Sequence, residues 1–145
     1  MKKNAFRIYP LVVFSKAAIS VAAHPVHSGF PSPADDYLEN RVDLNVRMVR
    51  NPDATFMVKV SGNSMTGAGI FDGDWLVVDK SLDAMDGDIV VAIVNNAFTM
   101  KRFRRRGCAV TLEAENPDFP ALVFTEGDEM SIWGVVMHVI KDCRR

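Results

Sequence analysis

Ser64 and Lys101 are the side chains of this sequence whose types and setting suit covalent chemistry. Ser64 closes the turn-like string Ser61-Gly62-Asn63-Ser64, directly after the apolar run Phe56-Met57-Val58-Lys59-Val60. Lys101 stands in a strand-like segment, Phe98-Thr99-Met100-Lys101-Arg102-Phe103. A serine hydroxyl is a poor nucleophile until a base takes its proton. A lysine is that base only when neutral, and burial among apolar groups favours the neutral amine. Phe98, Met100 and Phe103 give Lys101 such neighbours, whereas Lys59 and Lys80 read as outward-facing or turn residues. The histidines offer no competing triad: His24 and His27 lie in a proline-rich stretch, and His138 lies in an apolar strand. The turn at Gly62-Asn63-Ser64 can aim backbone N–H groups at a developing oxyanion, and Gly62 makes such a turn easy. A substrate is present in the same chain, Val26-His27-Ser28-Gly29, in an open segment. Together these parts suggest a protein that cuts itself. Serines are common in surface turns, so the pair alone is a weak signal.

The elements that must position these groups read as strands. From Ala54 onward, apolar runs at Thr55–Val60, Trp75–Asp79, Ile89–Val94, Phe98–Arg104, Ala109–Glu113, Leu122–Thr125 and Ser131–Ile140 alternate with turn residues. The turns are Asp72-Gly73-Asp74, Asp86-Gly87-Asp88, Asn95-Asn96 and Gly127-Asp128, and the asparagine pair reads as a tight hairpin. This pattern predicts a compact, mostly antiparallel β domain. The Asp-Gly-Asp triplets lack the further ligands of a calcium loop and read as turns. Upstream, Asp35–Glu39 is expected to form a helical turn, and Asp43 to cap a helix running through Arg50 and ended by Asn51-Pro52. Residues 1–33 form an extended, flexible N-terminal arm in this reading, with the β domain spanning 34–145; Pro25, Pro31 and Pro33 exclude a helix over its last third.

Composition narrows the function classes. Hydrophobic residues make up 48% of the 145, enough for a packed core. The net charge of −1 excludes a protein held to nucleic acid by bulk positive charge. The basic run Lys101 to Arg106 reads first as a charged strand end, and second as a local contact for DNA or a protein filament. Cys108 and Cys143 have no metal-ligand or CxxC spacing and read as reduced thiols. Trp75 and Trp133 read as core or dimer-interface residues. A signal-peptide reading of the start fails on Lys16, which sits inside the would-be apolar segment at a cost of about 2.5–3.5 kcal/mol. No membrane span and a cytoplasmic location are expected, and no cofactor or metal.

The ordered strings also resemble a known family. Gly29-Phe30-Pro31-Ser32-Pro33-Ala34, Ser61-Gly62-x-Ser64-Met65, Gly73-Asp74-x-Leu76-Val77-Val78-Asp79, Gly87-Asp88-Ile89-Val90-Val91, Phe98-Thr99-x-Lys101-Arg102 and Trp133-Gly134-Val135-Val136-x-His138 follow one another as in UmuD and its plasmid-borne relatives. These are short self-cleaving mutagenesis proteins akin to the carboxy-terminal half of LexA-type repressors, the S24 peptidase fold. The match covers about residues 26 to 140, and the intervals from Ser28 to Ser64 and from Ser64 to Lys101 also agree. The resemblance implies that Ser64 is the nucleophile and Lys101 the general base. It also implies that the N–H groups of Asn63 and Ser64 form the oxyanion hole, and that cleavage falls between Ser28 and Gly29. This chain carries Ser28 where relatives carry alanine or cysteine, a residue equally small for a tight pocket.

The resemblance further implies a homodimer and stimulation by a RecA filament on single-stranded DNA. The processed product would serve a UmuC-like Y-family translesion polymerase, with the replicative sliding clamp as a further partner. The alternative is a non-cleaving dimeric binding module of the same fold that regulates a polymerase or transcription. A repressor is disfavoured, because about two dozen residues ahead of the arm's cleavage site are too few for a helix-turn-helix.

Overall fold

The computed structural model describes residues 8–10, 18–22, 28–29, 38–124 and 128–144. In chain order the strands are β1 (Ile8–Pro10), β2 (Ala18–Ala22), β3 (Leu38–Asp43), β4 (Thr55–Lys59), β5 (Trp75–Asp79), β6 (Ile89–Val94), β7 (Ala97–Arg106), β8 (Ala109–Glu113), β9 (Leu122–Phe124) and β10 (Met130–Ile140). One α-helix, α1, spans Leu44–Met48. Two compact units divide the chain: Met1–Leu11 with Asn51–Arg145, and Val12–Arg50.

The larger unit is a single eight-stranded antiparallel sheet in the order β1, β4, β5, β10, β6, β7, β8, β9. The mostly β expectation holds, and each strand predicted after Ala54 is present: Trp75–Asp79, Ile89–Val94 and Ala109–Glu113 keep their predicted ends, and the others shift by a residue or two; Thr125 lies outside the described residues. Asn95 and Asn96 take φ of 48° and 62°, the left-handed pair that a tight hairpin between β6 and β7 requires. Asparagine tolerates this region better than other side chains.

Both Asp-Gly-Asp triplets act as turns. Gly73 and Gly87 take φ of 90° and 93°. The flanking carboxylates accept backbone N–H groups: Asp72 from Gly62, Asp74 from Phe71, Asp86 from Arg105 and Asp88 from Met85.

Strand β10 runs between β5 and β6 and pairs with both. It carries one irregularity against each neighbour, between Ile132 and Gly134 on the β6 side and between Val136 and His138 on the β5 side. Four of the five residues of β5 are buried, so this strand is covered on both faces. One core cluster gathers Val58, Val60, Met65, Ile70, Leu76, Val78, Val91 and Met100. A second gathers Val90, Ala92, Phe103, Leu112 and Val135. Each fully buried aliphatic side chain contributes about 1.5–3 kcal/mol. Alternation along β7 sends Met100 to the first cluster and Phe103 to the second, with Lys101 between them.

The smaller unit pairs β2 with β3 antiparallel. Leu38 and Glu39 are therefore strand, not the helical turn expected from Asp35 to Glu39, whose first three residues lie outside the described residues. Cross-strand pairing with β2 has overridden weak local preference. Asp43 does cap α1, its side chain accepting the Asn45 N–H at 3.0 Å. The helix stops at Met48 rather than Arg50, because Val49 is already extended (φ −117°, ψ 106°). Pro52 then holds Asn51 out of the helical region. Strands β1 and β2 within the expected arm were not anticipated. The boundary expected between residues 33 and 34 lies outside the described residues.

Candidate active site

The end of β4 leads through Val60 into the Ser61–Ser64 turn. Gly62 takes φ of 99°, a region costly for other residues, and its N–H donates to Asp72 Oδ1 at 2.8 Å. Met65, one residue beyond, is buried in the first core cluster and pins the turn to the sheet. Ser64 is left half-buried at the rim. Across from it, β7 delivers Lys101, which retains only 8% of its accessible surface.

Lys101 Nζ lies 3.0 Å from Ser64 Oγ and 3.2 Å from the Met100 carbonyl. As an ammonium it donates to both oxygens. As a neutral amine it still donates to Met100 and turns its lone pair toward the serine O–H, which then donates. Burial pushes the Lys101 pKa below the ordinary lysine value, the direction a base needs. The pair opens into a cleft of about 280 Å³ lined by Ser61–Ser64, Phe98–Lys101 and Phe119. The Phe119 ring centre is 6.0 Å from Nζ. The side chains that sequence reasoning paired, Ser64 and Lys101, are thus brought within proton-transfer distance. The residues of the expected oxyanion turn line the same cleft.

The lowered pKa has a stability consequence. In the unfolded chain Lys101 binds a proton up to pH about 10.4, whereas in the fold it gives the proton up earlier. The fold therefore gains stability as pH rises between the two values. Lys101→Met is expected to raise the melting temperature at pH 7, with the advantage shrinking toward pH 10. Melting curves at the two pH values check this, and an advantage that stays constant would contradict the lowered pKa.

The other sequence candidates fall into structural roles. Lys59 and Lys80 are exposed, their Nζ atoms resting 5.6 Å from the Trp75 ring centre and 4.9 Å from that of Trp133. In the basic run, Arg102 pairs with Glu115 at 2.9 Å and Arg104 with Glu113 at 3.4 Å, while Arg105 and Arg106 are exposed. Trp133 packs against Phe56 and Phe98. Cys108 and Cys143 are free and exposed. Ser28 and Gly29, the expected cleavage site, are both exposed, while His24 and His27 lie outside the described residues. Among the described residues no group of three His, Cys, Asp or Glu side chains is placed to hold a metal ion. No described helix is long and apolar enough to cross a membrane.

Sequence reasoning missed the segment Glu115–Phe119, which follows β8 and closes over the Ser64 turn. The Glu115 N–H donates to the Ser64 carbonyl at 2.9 Å, and Asn116 Nδ2 donates to the Asn63 carbonyl at 2.8 Å. The only visible signal was the turn-forming string Asn116-Pro117-Asp118, which gives no hint of its partner.

The Peptidase S24-like family profile matches residues 21–137. The chain belongs to that family. It is 45% identical to Protein MucA of Salmonella typhimurium over 116 residues, covering 78% of this chain and 77% of MucA. It is 43% identical to Protein SamA of the same species over 117 residues, 81% of each chain. It is also 39% identical to the LexA repressor of Vibrio atlanticus over 118 residues, but these span 57% of the repressor. The UmuD-type membership implied by the ordered motifs therefore holds across most of the chain.

Proposed function

We propose that this S24 peptidase cleaves its own chain between Ser28 and Gly29, with Ser64 as nucleophile and neutral Lys101 as general base. The observation that carries the reading is the 3.0 Å approach of Nζ to Oγ at a buried lysine that has no counter-ion among the described residues. Lys101 takes the hydroxyl proton as Oγ attacks the Ser28 carbonyl, and the N–H groups of Asn63 and Ser64 face the resulting oxyanion. Collapse expels the Gly29 amine, which takes its proton from Lys101. Water then hydrolyses the ester on Ser64, with Lys101 again as base. The exposed Ser28-Gly29 bond is available for docking into the cleft.

The biological setting follows the relatives. In this reading the protein is a cytoplasmic homodimer, with residues 1–33 as the arm that carries the cleavage site and 34–145 as the peptidase domain. A RecA filament on single-stranded DNA raises the population of the arm-docked state. The trimmed dimer then serves as accessory subunit of a UmuC-like translesion polymerase, with the sliding clamp as a further contact.

Purified protein held at pH 9–10, where more Lys101 is neutral, is expected to release a fragment beginning at Gly29, and faster than at pH 7. Mass spectrometry of the fragment's first residue checks the bond. Failure to cleave at alkaline pH, both alone and with RecA filament, would leave the non-cleaving dimeric module as the better reading.

A further inference from the structure

We infer that Asn116 is a positioning residue that aims the Ser64 N–H at the oxyanion, an inference that rests on the self-cleavage reading. The peptide joining Asn63 to Ser64 is planar and trans, so its C=O and its N–H point in opposite directions. Fixing the carbonyl fixes the N–H. Asn116 Nδ2 holds the Asn63 carbonyl at 2.8 Å from a segment fifty-three residues away in sequence. The next peptide plane is held in the same manner, by the Glu115 N–H on the Ser64 carbonyl at 2.9 Å. The Ser61–Gly62 plane is held from its other end, where Asp72 accepts the Gly62 N–H at 2.8 Å. A hydrogen bond to a carbonyl also polarises its peptide and strengthens the N–H as a donor.

The anchor itself is well fixed. Asn116 Oδ1 accepts the Asp118 N–H at 3.0 Å, so the amide can present only its NH2 group to Asn63. That NH2 group also lies 3.5 Å from Thr66 Oγ1. Glu115 is tied at both ends, its carbonyl accepting the Gly67 N–H at 2.6 Å and its carboxylate pairing with Arg102 at 2.9 Å. Arg102 in turn neighbours Lys101 on β7. One short segment thus links the strand that carries the base to the turn that carries the nucleophile.

Asn116→Asp separates positioning from local structure. An aspartate keeps the acceptor for the Asp118 N–H but has no donor for the Asn63 carbonyl at alkaline pH. Losing one oxyanion donor outright costs about 10²–10³ in rate, so misaiming it is expected to lower the alkaline plateau of self-cleavage by about 10- to 100-fold. Asn116→Ala, which adds no charge, is expected to lower the plateau similarly while leaving the pH midpoint, set by Lys101, where it stands in the unsubstituted chain. Rates are taken below each variant's melting temperature.

A plateau within twofold of the unsubstituted chain in both variants overturns the inference, and so does an Asn116→Ala loss that is wholly a shift of midpoint. An unsubstituted chain that never cleaves removes the self-cleavage reading and this inference with it, a result plainly different from variants that cleave at full rate.

Discussion

Lys101→Ala is expected to slow release of the Gly29 fragment by about 10²–10⁴-fold, the usual contribution of a positioned general base. Ser64→Ala is expected to abolish release, since among the described residues Ser64 carries the hydroxyl within hydrogen-bond distance of Lys101 Nζ, while Ser61 and Thr99 line the cleft without such a contact. The more telling variant is Lys101→Arg. Arginine keeps the positive charge and much of the length, yet its guanidinium does not lose a proton in proteins. If Lys101 served only as a cation beside the oxyanion, arginine would retain much of the rate. If it is the base, arginine fails as badly as alanine. Following fragment release by mass spectrometry from pH 7 to 10 distinguishes the two. Self-cleavage that survives in Lys101→Arg with its pH dependence intact would remove Lys101 from the base role.

Gly134→Ala is expected to be the most damaging small substitution in the sheet. A Cβ at this position would lie 2.6 Å from Val78 Cγ1 and 3.2 Å from the Asp79 carbonyl oxygen. Neither can retreat easily: Val78 is fully buried and Asp79 is 1% exposed. Asp79 is also fastened by hydrogen bonds from Asn51 and from Ser81. Inserting a methyl group into such packing costs roughly 1–3 kcal/mol. For a folded unit of this size each kcal/mol lowers the melting temperature by about 4–8 °C. Thermal denaturation checks this, and a fall under about 2 °C would mean that β10 moves aside without penalty.

The approach of Ser64 to Lys101 was only weakly legible in the residues themselves, because serines are common in glycine turns; the ordered strings around the two residues singled them out. The strands after Ala54 were legible because their apolar runs are bounded by Asp-Gly-Asp and Asn-Asn, whose turn preferences are local properties. What the sequence did not display was pairing. Ile8–Pro10 and Ala18–Ala22 are strands only because β4 and β3 offer them an edge, and no property of three to five residues announces that. The same holds for Leu38 and Glu39, which follow β2 rather than their own helical leaning. Asn116 was invisible for the same reason. Its partner is a carbonyl fifty-three residues back in the sequence, and hydrogen bonds of that span leave no periodic trace.

The central place of β10 bears on when the two sides of the candidate site are joined during synthesis. Ser64 follows β4 and so belongs with β4 and β5, while Lys101 belongs with β6 and β7. The eleven residues of β10 are the seam that joins these two blocks into one sheet. A ribosome delivers β10 after every other described strand, and until it slots in, no strand pairing joins the Ser64 block to the Lys101 block, which leaves the Glu115–Phe119 segment and the core side chains to hold them. A growing polypeptide would therefore complete the sheet around the Ser64–Lys101 pair last, and under the self-cleavage reading that delay protects unfinished chains from early trimming.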